Sequence, residues 1–113
     1  MADSEKSRHF RRGLRLTEDG EIRRVVGGKK KETKWAIVFF LPQRETRAAF
    51  SARKTLGNAV ARNRAKRRLR EFFRHKRTEL PLGWYLFVAR EGAVDGDFSE
   101  MCRGLLKELS RLS

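Results

Sequence analysis

Residues 58–77 read NAVARNRAKRRLREFFRHKR. Asn58 follows Gly57 and has the short polar side chain of a helix N-cap. Ala61, Ala65, Leu69 and Phe72 recur at i, i+4, i+8 and i+11, one stripe at helical period. On the helical wheel Asn63, Arg67, Arg70 and Arg74 fall opposite that stripe. Arg62, Lys66 and Arg68 flank it, where their stems can lie along the apolar surface and their heads reach water. The stretch is therefore a helix with one face for a core and one face cationic. The apolar stripe opens with two alanines. That suits close packing on a sheet and argues against a membrane-surface helix.

Outward from this helix the chain alternates strand and turn signals. Residues 35–41, WAIVFFL, form a continuous apolar run that stops before Pro42, short enough for a buried strand. Alternation sends Trp35, Ile37 and Phe39 to one face and Ala36, Val38 and Phe40 to the other. Rings on a face left partly open would stack unpaired bases. Residues 47–53, RAAFSAR, are a weaker second strand, and residues 84–89, WYLFVA, a third entered through Pro81 and Gly83. The KKKETK stretch at 29–34 reads as a solvated turn. Residues 18–26 form a short helix led by acids and ended by Gly27-Gly28. Residues 97–112 form the last helix, with Asp97 and Glu100 at capping-box spacing and Phe98, Met101, Leu105, Leu109 and Leu112 on one face. The order predicts an α+β fold, a two-layer sandwich with helices on one face of a small mixed sheet.

The chain has 113 residues, which suits one domain, expected at 14–113 behind a flexible basic arm at 1–13. It carries 28 Lys plus Arg against 14 Asp plus Glu, net +14. Residues 53–77 alone hold 11 basic and 1 acidic residues. That block repels itself, and a polyanion relieves the repulsion. Seven of the nine basic residues from Arg62 to Arg77 are Arg, whose planar guanidinium matches phosphate oxygens. A merely solvated face would intersperse acids for i,i+4 pairs, and here only Glu71 does so. Nucleic-acid binding is therefore the expected activity.

Protein-borne catalysis finds little support. His9 and His75 lack a metal-ligand spacing or a carboxylate to orient them. Asp95 and Asp97 read as a turn residue and a helix cap. Ser51 and Ser99 have no nucleophile-elbow context. Cys102, the one cysteine, lies near the buried face of the last helix and excludes an internal disulfide or a multi-Cys zinc site. Gly27-Gly28 matches no phosphate loop. No catalytic residue and no metal ligand is assigned. There is no apolar run of transmembrane length and no secretory core at the N-terminus, so a soluble cytoplasmic protein is expected.

The string GNAVARNRAKRRLRE at 57–71 closely resembles the signature of the bacterial ribonuclease P protein subunit. The resemblance covers about residues 14–110. It implies a sandwich in which the signature helix makes a left-handed crossover between parallel strands, opposite to the usual hand. It also implies a function. The subunit joins a catalytic RNA that removes the 5′ leader of precursor tRNA. That RNA, with magnesium, performs the hydrolysis, and the protein binds no cofactor of its own. The implied partners are the catalytic RNA and precursor tRNA, with no membrane and no obligate protein partner.

Carried over by residue, Arg62, Asn63, Arg64, Lys66, Arg67 and Arg70 would contact RNA. Arg53 and Lys54 resemble the basic pair before the signature, although Thr55 and Leu56 separate them from Gly57 where the family usually has one residue. Asn58, Arg68 and Arg74 complete the expected RNA-binding set. The family's leader cleft often takes Phe from the first helix. The matching positions here are Ile22 and Val26, with Trp35, Phe39 or Phe50 expected to compensate. Three other readings compete. They are a ribosomal-type structural RNA-binding protein, a DNA-binding basic helix, and a nuclease acting alone. Leu80-Pro81 stops the second from extending into a zipper, and the lack of clustered carboxylates or His disfavours the third.

Overall fold

A computed structural model describes residues 19–112. They form helix α1 (Asp19–Val26), strands β1 (Lys29–Glu32), β2 (Ala36–Pro42) and β3 (Arg47–Ser51), the long helix α2 (Ala59–Lys76), strand β4 (Gly83–Ala89), the short helix α3 (Glu91–Asp95) and helix α4 (Phe98–Leu109). The strands make one mixed sheet in the order β1-β2-β4-β3. β2 runs antiparallel to both β1 and β4, while β3 and β4 are parallel, so α2 is the crossover between them. The α+β architecture is as expected. The basic arm at 1–13, with His9, lies outside the described residues. No helix among the described residues is long and apolar enough to cross a membrane.

Gly57 opens α2 with φ at 153°, a backbone state that glycine alone adopts easily. The Asn58 Oδ1 then accepts from the Ala61 amide at 2.9 Å, the expected cap. Ala65, Leu69, Phe72 and also Phe73 are fully buried. In α4 the Asp97 carboxylate accepts from the Glu100 amide at 2.8 Å, and Met101, Leu105 and Leu109 are buried. Cys102 is half-buried at the margin of this core. Burial pushes its thiol up, against the pull of Lys76 and Arg68.

The sheet separates two apolar clusters. Ala36, Val38, Phe40, Ala48, Tyr85, Phe87 and Ala89 pack with α2 and α4. On the other face Trp84 and Leu86 pack with Val25 of α1, joined by Ile22, Phe39, Leu41, Ala49 and Val88. The two long helices share one face, but α1 covers part of the other, which corrects the expectation of helices on one face only: Val25 is buried against Trp84 and Leu86, whose side chains alternate to that side.

The turn expected at 29–34 is instead largely strand β1, paired from Lys29↔Phe40 to Glu32↔Ile37. Pairing needs only backbone N–H and C=O groups, so no apolar alternation announces it. Lys29 Nζ donates to the Leu112 carbonyl at 2.7 Å and Lys31 pairs with Glu108 at 3.1 Å, tying the strand to the end of α4. A lysine-rich edge of this kind also resists further strand addition.

Trp35 is a second correction. It precedes β2 and escapes the strand's alternation. Its side chain is 9% exposed and lies in the same cluster as Ala36 and Phe40, not with Phe39. A Cβ at Gly104 of α4 would stand 2.1 Å from the indole Cη2, so this glycine is the seat of the ring.

Candidate nucleic-acid interface

With one face of α2 anchored in the core, helical period decides what the other presents. Val60, Asn63, Arg64 and Arg67 are exposed and follow at i, i+3, i+4 and i+7, a single stripe along the first three turns. No ion pair among the described residues engages Arg64, Lys66 or Arg67. Their charges face solvent without a protein counterion, the condition under which a phosphate backbone gains most from contact.

The expected set does not act as one. Arg62 Nη1 donates to the Gly57 carbonyl at 2.7 Å, which braces the N-terminal turn. Arg70 lies with its guanidinium 5.8 Å from the Phe50 ring centre. Arg74 Nη2 donates to Glu71 at 2.6 Å, and the same carboxylate stands 3.4 Å from His75 Nε2. The open ridge is therefore the first half of α2, and Arg74 belongs to a local charge cluster.

Arg68 is the clearest departure. Its Nη2 donates to the Gly96 carbonyl, and its guanidinium lies 5.6 Å from the Phe98 ring centre. It latches α2 to the loop that starts α4. Arg68→Ala is expected to lower stability by about 1–3 kcal/mol, the scale of a charged hydrogen bond and its stacking. The salt dependence of RNA binding should keep its slope. A flatter slope, read from binding titrations at several salt concentrations, would place Arg68 on a phosphate instead.

Beside the start of α2 lies a groove of about 680 Å³. Arg53, Lys34 and Arg90 supply cations to its walls, and Ile37 and Leu56 supply apolar surface. Glu32 and Glu91 also line it; Glu32 pairs with Lys30 at 3.2 Å and approaches Arg90 at 4.0 Å. A 3-10 turn at Lys54–Leu56 leads into Gly57 and leaves Arg53 and Lys54 exposed. Lys34 and Arg90 were not singled out from sequence. The Arg90 amide bonds to the Trp35 carbonyl at 3.0 Å, and this long-range contact joins the end of β4 to the start of β2. The only local signal was a cation flanking each strand.

The five residues expected in one leader cleft are not brought together. Ile22 and Phe39 are half-buried in the cluster under α1, and Val26 is 45% exposed. Phe50 faces the opposite side, stacked on Phe87 at 5.2 Å, because the parallel register sets it beside that residue. Trp35 is buried on that side as well. None of the three rings lines the groove.

The model of the Ribonuclease P family matches residues 10–113. A ribonuclease P protein component from Coprothermobacter proteolyticus is 35% identical over 101 residues, covering 88% of this chain and 84% of that one. One from Nitratiruptor is 38% identical over 76 residues, covering 67% and 70%. One from Thermus thermophilus is 36% identical over 98 residues, and the match spans only 59% of its length. The solved RNase P protein of Thermotoga maritima superposes with a TM-score of 0.76 at 25% identity, over 88% of this chain and 97% of that one. The Staphylococcus aureus RNase P protein gives 0.74 at 24% identity, over 88% and 96%, a likeness of fold. A cationic crossover helix on a mixed sheet, its signature string and a family match across nearly the whole chain agree: this chain belongs to the ribonuclease P protein family.

Proposed function

We propose that this chain binds the catalytic RNA of ribonuclease P along the Asn63–Arg64–Arg67 stripe and holds the 5′ leader of precursor tRNA in the groove beside it. The observation that carries the reading is the row of cations on α2 that face solvent without an acidic neighbour. Arg64 and Arg67 offer forked donors to the RNA backbone, and the buried face of α2 holds them in register. In the groove Arg53, Lys34 and Arg90 supply donors for leader phosphates, while Ile37 and Leu56 give bases an apolar floor. Hydrolysis falls to the RNA and its magnesium. The work of this chain is binding and orientation.

The test is reconstitution with the catalytic RNA. At low magnesium, cleavage of precursor tRNA should rise strongly when the protein is added. Arg53→Ala should lower affinity for leader-bearing precursor more than for mature tRNA. Equal losses on both would place Arg53 on the RNA framework and leave the groove without a leader. No stimulation at all would remove the reading.

A further inference from the structure

The last helix carries a second row of cations. Met101, Leu105 and Leu109 of α4 face the core, which puts Arg103 and Lys107 on the opposite side, one turn apart. Arg111 follows one turn later, just past the helix. All three are exposed, and no ion pair among the described residues engages them. Four residues of helix rise about 6 Å, so the row is about 12 Å long.

Charge is segregated in this part of the chain. Residues 78–113 hold six acids and four bases. Four of the acids lie at 91–100, around the start of α4, while three of the four bases make up the row. Evenly scattered surface charge would interleave the two signs. Glu100 stands one turn ahead of Arg103 and marks the limit of the row. Glu108 is the one acid within its span, and it is engaged by Lys31 of β1 at 3.1 Å. That hydrogen bond and charge hold its carboxyl below the ordinary range, and Arg111 and Lys107 add to the effect. Lys29 of β1 is exposed beside the end of α4, where its Nζ donates to the Leu112 carbonyl at 2.7 Å and meets no acid. The helix dipole favours Lys107 in the last turn, but it gives no reason for Arg103 in mid-helix.

The position of the row sets it apart from the ridge of α2. α2 covers β3 and β4. α4 meets it where Arg68 latches to Gly96 and runs from there to β1, the edge strand. The row therefore lies toward the β1 edge of the sheet. An anionic membrane would need an apolar face turned outward, and that of α4 is buried in the core. An RNA backbone needs only the cations, held at a fixed spacing.

We propose that Arg103, Lys107 and Arg111, with Lys29 beside them, dock a second segment of the catalytic RNA by its phosphates, so that this chain bridges two RNA segments. The inference rests on the reading of α2 as the dock for that RNA.

The experiment reconstitutes the full chain with the catalytic RNA. It reads affinity at several salt concentrations and protection of the RNA backbone from hydroxyl radicals. A triple variant, Arg103→Gln with Lys107→Gln and Arg111→Gln, removes the three charges and keeps good helix formers. Its affinity should fall by about tenfold or more at low salt, and its log–log slope should flatten by about 2, at about 0.7–0.9 for each of three contacts. Lys107→Glu alone should act in the same direction with a smaller change of slope. The wild type should protect two separate RNA segments. The triple variant should lose one and keep the other, and Arg67→Glu should do the reverse. Thermal unfolding without RNA should match the wild type for all three variants. If Arg67→Glu weakens the complex while the triple variant matches the wild type in slope and protection, the second surface is overturned and the α2 reading stands. A triple variant that keeps its RNA binding but loses binding to phosphatidylserine vesicles overturns it in favour of a membrane. If neither Arg67→Glu nor the triple variant weakens the complex, the α2 reading falls and takes this inference with it.

Discussion

Arg67→Glu is expected to weaken binding of the catalytic RNA by well over tenfold at low salt and to leave the folded state intact. Arg67 ends the exposed stripe of α2, about two and a half turns from the Asn58 cap, with no acidic partner among the described residues. Replacing it removes one neutralised phosphate and adds a repulsive charge beside Arg64. Each phosphate contact contributes about −0.7 to −0.9 to the slope of log K on log salt, so the slope should flatten by about one contact and the deficit should shrink as salt rises. Arg67→Ala should give the same change of slope with a smaller loss of affinity. Thermal unfolding of both variants should match the wild type, because the side chain buries nothing. An unchanged slope would take Arg67 off the RNA.

Trp35→Ala is expected to cost about 3–5 kcal/mol of stability, the range for deleting a large buried ring. A chain of this size should then lose more than about 10 °C in Tm. The indole fills space above Gly104 and beside Gly92, where an added Cβ would stand 3.2 Å from the indole Cδ1. Removing the ring would leave a cavity between α4 and the β2–α3 corner. At a temperature where the variant is folded, its preference for precursor over mature tRNA should equal that of the wild type. A variant of normal Tm with lost leader preference would show that the ring meets RNA instead of filling the core.

The contrast between these two residues follows what the sequence could and could not express. Arg67 was legible because a helix is a local object. Its period, its Asn58 cap and its apolar stripe are written in consecutive residues, and the direction of every side chain follows from them. Trp35 was not legible because alternation holds only inside a strand. Whether β2 begins at residue 35 or 36 is set by the long-range bonds of Arg90 to the Trp35 and Thr33 carbonyls, which close that corner. Phe50 was misassigned for a related reason. Its face depends on the register of β3 against β4, a pairing across an intervening helix. Arg68 looked like its neighbours in composition, but its partner is a carbonyl 28 residues away.

By itself, then, the sequence determined the elements with local periodicity, the concentration of charge on one helix and the signature that places the chain in its family. Tertiary structure alone decided the lysine edge strand, the sorting of aromatic rings between two faces, the division of arginines into free and latched, and the assembly of the cationic groove beside α2. The reason is physical: helical period and capping act over a few residues, whereas strand register and side-chain partners are settled only when distant backbone groups meet.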